Sequence, residues 1–190
     1  DTRAFRDAGF ATILGAEVHA PELANGQEWH LLAVGLPADF PATAPGETGP
    51  ALAARCASAG AFVAIAHPHW YQLTLDDALS IEAAHAVEVY NHTCAVNADR
   101  GDGLVMFDAL LSAGRRLGAI AVDDSHWKAP DAFGGFVMVK AEDDAEDALL
   151  AALKAGAYYA SQGPQIHDVT LDGDEIDVVC SPATAVILLG

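Results

Sequence analysis

AFVAIAHPHW, residues 61–70, is the stretch on which the fold turns. Phe62–His67 reads as an apolar strand that ends on a histidine. Just before it, Pro50–Ser58 reads as a helix, with Pro near its start and Gly60 just past its end. Just after it, Thr74 followed by Asp77 opens a short helix, and Ala86–Tyr90 reads as the next strand. Helix, strand, helix, strand in this order is the signature of βαβ units and a mostly parallel sheet. Working outward, Ala11–Val18, His30–Leu36, Leu117–Val122 and Gly135–Val139 read as further strands. Leu104–Ser112 and Ala145–Lys154 read as helices stopped by Gly114 and Gly156. Residues 37–50 form the longest loop, and Val169–Leu189 reads as short strands. The expectation from this pattern is an α/β chain with its main domain over residues 1–168 and a β appendage over 169–190.

Composition narrows the function. A chain of 190 residues that is 52% apolar can bury one sizeable core, most simply one domain. Acidic residues outnumber basic ones 27 to 9, a net charge of −18, so the surface repels phosphate backbones and anionic lipid. A nucleic-acid or membrane partner is therefore disfavoured, and a small-molecule substrate is expected. No apolar run reaches the roughly 18 residues of a membrane helix. Cys56, Cys94 and Cys180 are widely spaced and odd in number, which suits buried thiols in a reducing, cytoplasmic setting. Asp1 with no leader, and an apolar run breaking off at Gly190, read as a fragment lacking sequence at the N-terminal end and some at the other. Composition does not speak to oligomeric state.

Metal-binding side chains gather where the strands end. Glu17 closes ATILGAE (11–17), His67 closes FVAIAH (62–67), and Asp124 and His126 follow LGAIAV (117–122). In a barrel of parallel strands the C-terminal ends share the face that carries the active site. His30 starts its strand rather than ending it. Thirteen positions separate it from Glu17 through the turn PELANGQ, and a hairpin brings the end of one strand beside the start of the next. Glu17 and His30 then meet at the same rim. A carboxylate after an apolar run is costly unless it is paired or metal-bound, which supports Glu17 and Asp124 as ligands.

GAEVHA (15–20), WHLLAVG (29–35), AIAHPHW (64–70), AVEVYN (86–91), AVDDSH (121–126) and YASQGP (159–164) follow one another in an order that resembles the PHP (polymerase and histidinol phosphatase) superfamily. The likeness is nearest to its stand-alone phosphoesterases and its carbaryl-hydrolase-like branch, and it covers the chain from about Gly15 onward. The resemblance implies a distorted PHP-type βα barrel over residues 1–168 that holds up to three divalent ions (Mn, Zn or Fe). It implies that Glu17 bridges two metals, that His30 and His67 complete the second, and that Asp124 serves the first and His126 the third. Ser161, Gly163 and Pro164 match a loop bordering the substrate. PHP domains open on a His-x-His pair that is not here, so the barrel is expected to lack its first βα units; His67 and His69 belong to a later motif. As written, only the second metal site is complete.

The remaining polar residues fill out the site. Asn91 and His92 follow a strand end, and Arg100 and Lys128 lie in loops after strands, which makes these four the substrate-binding candidates. Glu88 and Asp123 are candidates to orient ligand histidines from behind. His19 shares Glu17's face if the strand continues, although an exposed position is the simpler reading. Arg115 and Arg116 follow a helix and precede a strand, at the opposite, stabilising face. No catalytic acid or base is assignable. These readings converge on a metal-dependent hydrolase, foremost of phosphoesters, using a metal-activated water. An amide or carbamate hydrolase on the same scaffold and a non-catalytic metal-binding module are the alternatives.

Overall fold

The computed structural model describes residues 6, 7 and 9–189. Residues 1–5, 8 and 190, which fall within the expected domain spans, lie outside the described residues. The centre is a five-stranded sheet whose strands stand side by side in chain order: β1 (Gly15–Ala20), β2 (Trp29–Val34), β3 (Phe62–Ile65), β4 (Ala86–Asn91) and β5 (Gly118–Val122). Both neighbours of β2 pair with it antiparallel, whereas β3–β4 and β4–β5 are parallel. β2 therefore runs alone against the other four, and the expected mostly parallel sheet is corrected to a mixed one. The reversal comes from the short Pro21–Glu28 connection, which permits only a hairpin. Its consequence is positional. The C-terminal ends of β1, β3, β4 and β5 and the N-terminal end of β2 all lie along one edge.

Helices cover one face of this sheet. α1 (Gly49–Ser58), α2 (Leu75–Ser80) and α4 (Leu104–Ser112) supply Leu52, Cys56, Ala78 and Leu110 to a core shared with Leu31, Ala33, Val63, Ile65 and Val87. The other face packs Phe62, Ala64, Ala86 and Ile120 against Leu150 and Leu153 of α5 (Glu146–Lys154), Val137 of β6 (Phe136–Val139) and Tyr158 of β7 (Tyr158–Ser161). With both faces covered, every residue of β3 is buried, which is why its sequence is apolar without alternation. Local signals set the helix starts. Thr48 accepts the Ala51 N–H with Pro50 in the first turn, and Thr74 and Asp77 form a reciprocal capping box. Arg115 donates to the carbonyls of Leu79, Ile81 and Glu82 where α2 ends.

Several boundaries differ from the sequence expectation. β1 is Gly15–Ala20 rather than Ala11–Val18, because its pairing runs from Gly15 opposite Val34 to Ala20 opposite Trp29. The strand before His67 ends at Ile65. A helix with no counterpart in the sequence expectation, α3 (His92–Ala98), follows β4 and is capped by the Asn91 side chain on the Cys94 N–H. The appendage starts earlier than Val169: β8 (Ile166–Asp172) pairs with β9 (Glu175–Cys180), and the described residues beyond form no further strand. Among the described residues the sheet does not close into a barrel. β1 and β5 are its edges, and β6–β7 packs beside β5 as a separate antiparallel pair.

Candidate metal centre

Residues two apart on a strand share a face, so β1 presents Glu17 and His19 together. The register sets His30 directly opposite His19 and Leu32 opposite Glu17, which leaves His30 diagonal to the carboxylate. His30 Nδ1 lies 2.6 Å from Glu17 Oε1. β3 delivers His67 from the other side, with Nε2 at 3.1 Å from the same oxygen. The ligand atoms of Glu17, His30 and His67 all fall within 4.8 Å of one another.

The electrostatics suit a cation at this point. Burial alone pushes the Glu17 carboxyl up, but the hydrogen bonds and charges of His30 and His67 outweigh it and hold the group below the usual carboxylate range. Burial pulls the His67 imidazole down. The Glu17 bond, with the negative charges of Glu88, Glu17 and Asp124, outweighs that and raises it. Nδ1 of His67 is buried without a hydrogen-bond partner among the described residues. Cys94 borders the same cavity, where burial, reinforced by Asp124 and Glu88, pushes its thiol up to about 12, and its sulfur is not among the clustered ligand atoms. One carboxylate and two imidazoles without thiolate fit a divalent ion such as Mn, Fe or Zn.

Asp124 and His126 line the same cavity, which measures about 470 Å³. Asp124 takes up a left-handed backbone (φ 51°) that aspartate tolerates better than most residues. Its Oδ2 receives the Asn91 amide at 3.1 Å and stands 4.0 Å from His67 Nε2, while Oδ1 is 3.5 Å from His126 Nε2. All five expected metal residues thus border one space, with Lys128 and Trp70 on its wall. The loop bearing Asp124 and His126 is fastened by the fully buried Asp131, which accepts from Ser125 Oγ, Thr93 Oγ1 and the His126 N–H. Asp131 carried no signal in the sequence, since only the fold sets it against Thr93.

The supporting residues take different parts from those expected. Glu88 is buried, and desolvation raises its carboxyl to about 7. It accepts the main-chain N–H of His67 at 2.8 Å and the Asn91 amide at 3.0 Å, so it holds the His67 backbone. Asp123 touches no ligand histidine. It accepts the N–H groups of Phe133, Gly134 and Gly135 and anchors that loop.

Three of the four substrate-binding candidates lie off the cavity. Asn91 is fully buried, because a bulge between Glu88 and Tyr90 breaks the two-residue alternation and turns Asn91 inward beside Glu88. His92 bonds Tyr90 Oη at 2.8 Å instead. Arg100 donates to the Trp70 carbonyl and borders another pocket with Asn25 and Gln72. Lys128 alone of the four lines the cavity. Ser161 and Pro164 border a different cavity, with Tyr90 and Tyr159. His19, read as exposed, is only half so, and its Nε2 lies 3.1 Å from His30 Nδ1. The Glu17-x-His19 spacing was its signal.

Compared with protein-family models, curated proteins and solved structures, the chain matches none.

Proposed function

We propose that this chain carries the site of a metal-dependent hydrolase, foremost of phosphoesters, and that its open sheet is part of a PHP-type barrel. The observation that carries the reading is the convergence of Glu17, His30 and His67 within 4.8 Å, in a cavity also bordered by Asp124, His126 and Lys128. A divalent ion held there supplies Lewis acidity, activating water and neutralising charge on the attacked group. The chain's own residues do the rest. Glu88 fixes the His67 main chain, Asn91 ties Asp124 to the same support, and Asp131 fastens the loop that presents His126. Lys128 offers a cation for an anionic substrate group, and the Trp70 indole walls the cavity beside His30 and His67.

The same metal chemistry acts on a carbonyl, and one observation favours an amide or carbamate substrate. Lys128 is the single lysine or arginine among the described residues lining the cavity. The experiment pairs elemental analysis of bound metal with turnover of an aryl phosphate and an aryl carbamate, for the wild type and Glu17→Gln. About one metal per chain and turnover of one substrate, both lost in Glu17→Gln, is the expected result. Absence of bound metal from the folded wild type defeats the reading.

A further inference from the structure

Resting on the metal centre proposed above, we infer that His19 is a fourth protein ligand, so that this site is Glu17, His19, His30 and His67. The argument is one of proton and lone-pair counting. His30 Nδ1 lies 2.6 Å from Glu17 Oε1 and 3.1 Å from His19 Nε2. A single ring nitrogen carries either one proton or one lone pair, so it serves both contacts only by splitting its proton between them in a weaker three-centre bond. Glu17 Oε1 is approached by three imidazole nitrogens: His30 Nδ1, His67 Nε2 at 3.1 Å and His19 Nε2 at 3.4 Å. Hydrogen bonds alone hold such a convergence poorly. A cation shared by all four groups would satisfy every lone pair at once: Glu17, His30 and His67 lie within 4.8 Å of one another, and His19 reaches two of the three.

The spacing agrees. Ligand bonds of about 2.0–2.1 Å set adjacent donor atoms roughly 2.8–3.0 Å apart on an octahedral ion and roughly 3.3–3.4 Å apart on a tetrahedral one. The His19–Glu17, His19–His30 and His67–Glu17 separations of 3.4, 3.1 and 3.1 Å lie at or between these values, and only His30–Glu17, at 2.6 Å, is shorter. His19 is also positioned by the fold: it sits opposite His30 in the hairpin, and its ring meets the His30 ring edge-on at 4.4 Å between centroids. Its carbonyl accepts the Thr43 hydroxyl, which ties β1 to the long loop before α1 at this residue. Four protein ligands fill a tetrahedral ion and leave open positions only on one of higher coordination, so turnover belongs to an ion of the Mn or Fe kind.

The test uses the full chain. Histidine-ring ¹H–¹⁵N spectra are recorded as Zn²⁺ is added, and Co²⁺ affinity is measured for wild type, His19→Ala and His19→Asn. The inference expects three imidazoles, those of His19, His30 and His67, to change together at one equivalent of zinc. It expects each substitution to weaken Co²⁺ binding at least tenfold while the unfolding midpoint of the metal-free protein hardly moves. If only His30 and His67 respond, or Co²⁺ affinity is unchanged in both variants, His19 is no ligand and the three-residue centre stands. If the folded wild type binds neither ion, the metal-centre reading itself fails. The ring spectra come from the wild type, so a variant that does not fold still leaves the inference decided.

Discussion

Asn91 joins α3, Glu88 and Asp124 through one side chain, and the cost of its removal can be worked out from its bonds. Its Oδ1 accepts the Cys94 N–H at 2.9 Å and caps α3. Its Nδ2 donates to Glu88 Oε2 at 3.0 Å and to Asp124 Oδ2 at 3.1 Å. Losing a helix cap costs about 1 kcal/mol. Losing a donor to a buried carboxylate costs about 1.5–3 kcal/mol, and the less buried Asp124 bond adds about 1 kcal/mol. The three share one side chain, so their sum is an upper guide, and Asn91→Ala is expected to lose roughly 3–5 kcal/mol. For a chain of this size that lowers Tm by about 6–20 °C. Asn91→Asp separates the contributions. It keeps the cap but replaces the donor with a third carboxylate between Glu88 and Asp124, so at pH 8 it is at least as unstable as Asn91→Ala. Its deficit shrinks towards pH 5, as one carboxyl takes a proton and donates again. The assay is urea unfolding followed by circular dichroism and Trp fluorescence, metal-free, at both pH values. An Asn91→Ala loss below about 1 kcal/mol, or Asn91→Asp the more stable variant at pH 8, refutes the reasoning.

Metal should stabilise the folded chain through the same centre: at a hundredfold excess over Kd it adds about 2.7 kcal/mol, near 5–11 °C in Tm. Scanning calorimetry of Glu17→Gln with and without the ion should show that rise abolished; an undiminished rise places the ion elsewhere. Gly103→Ala should cost about 1–3 kcal/mol by overpacking, since a methyl there runs into the Glu88 carbonyl oxygen and towards Pro68, and full stability on urea unfolding contradicts the packing described. Burial and then the Lys154 charge hold the His85 imidazole below its ordinary value, and its Nδ1 accepts the Val63 N–H. Below about pH 6.5 the unfolded chain therefore binds more protons, and this stability is present above that pH and lost as pH falls through the lowered folded value. His85→Gln should flatten the stability profile between pH 5 and 6.5, and parallel wild-type and variant profiles contradict the assignment.

The sequence by itself determined what depends on neighbours along the chain. Phe62–Ile65 is apolar throughout and forms a strand buried on both faces, and Thr74 with Asp77 dictates a cap wherever that helix lies. Leu104–Ser112 carries its own stop in Gly114, and the Glu17–His30 separation foretold a hairpin with both residues at one rim. Tertiary structure decided what depends on register and on distant partners. A single bulge at Glu88–Tyr90 moved Asn91 from a substrate-facing loop to a buried bridge, because shifting a strand by one residue exchanges its faces. The pairing of His19 with His30 drew a half-exposed histidine to the candidate metal ligands. Arg100 and Lys128 look alike as loop cations, yet one spends a donor on the Trp70 carbonyl and the other borders the cavity. The sheet's openness was equally illegible. Whether a row of strands closes depends on how its two edges meet, and no local pattern of residues records that.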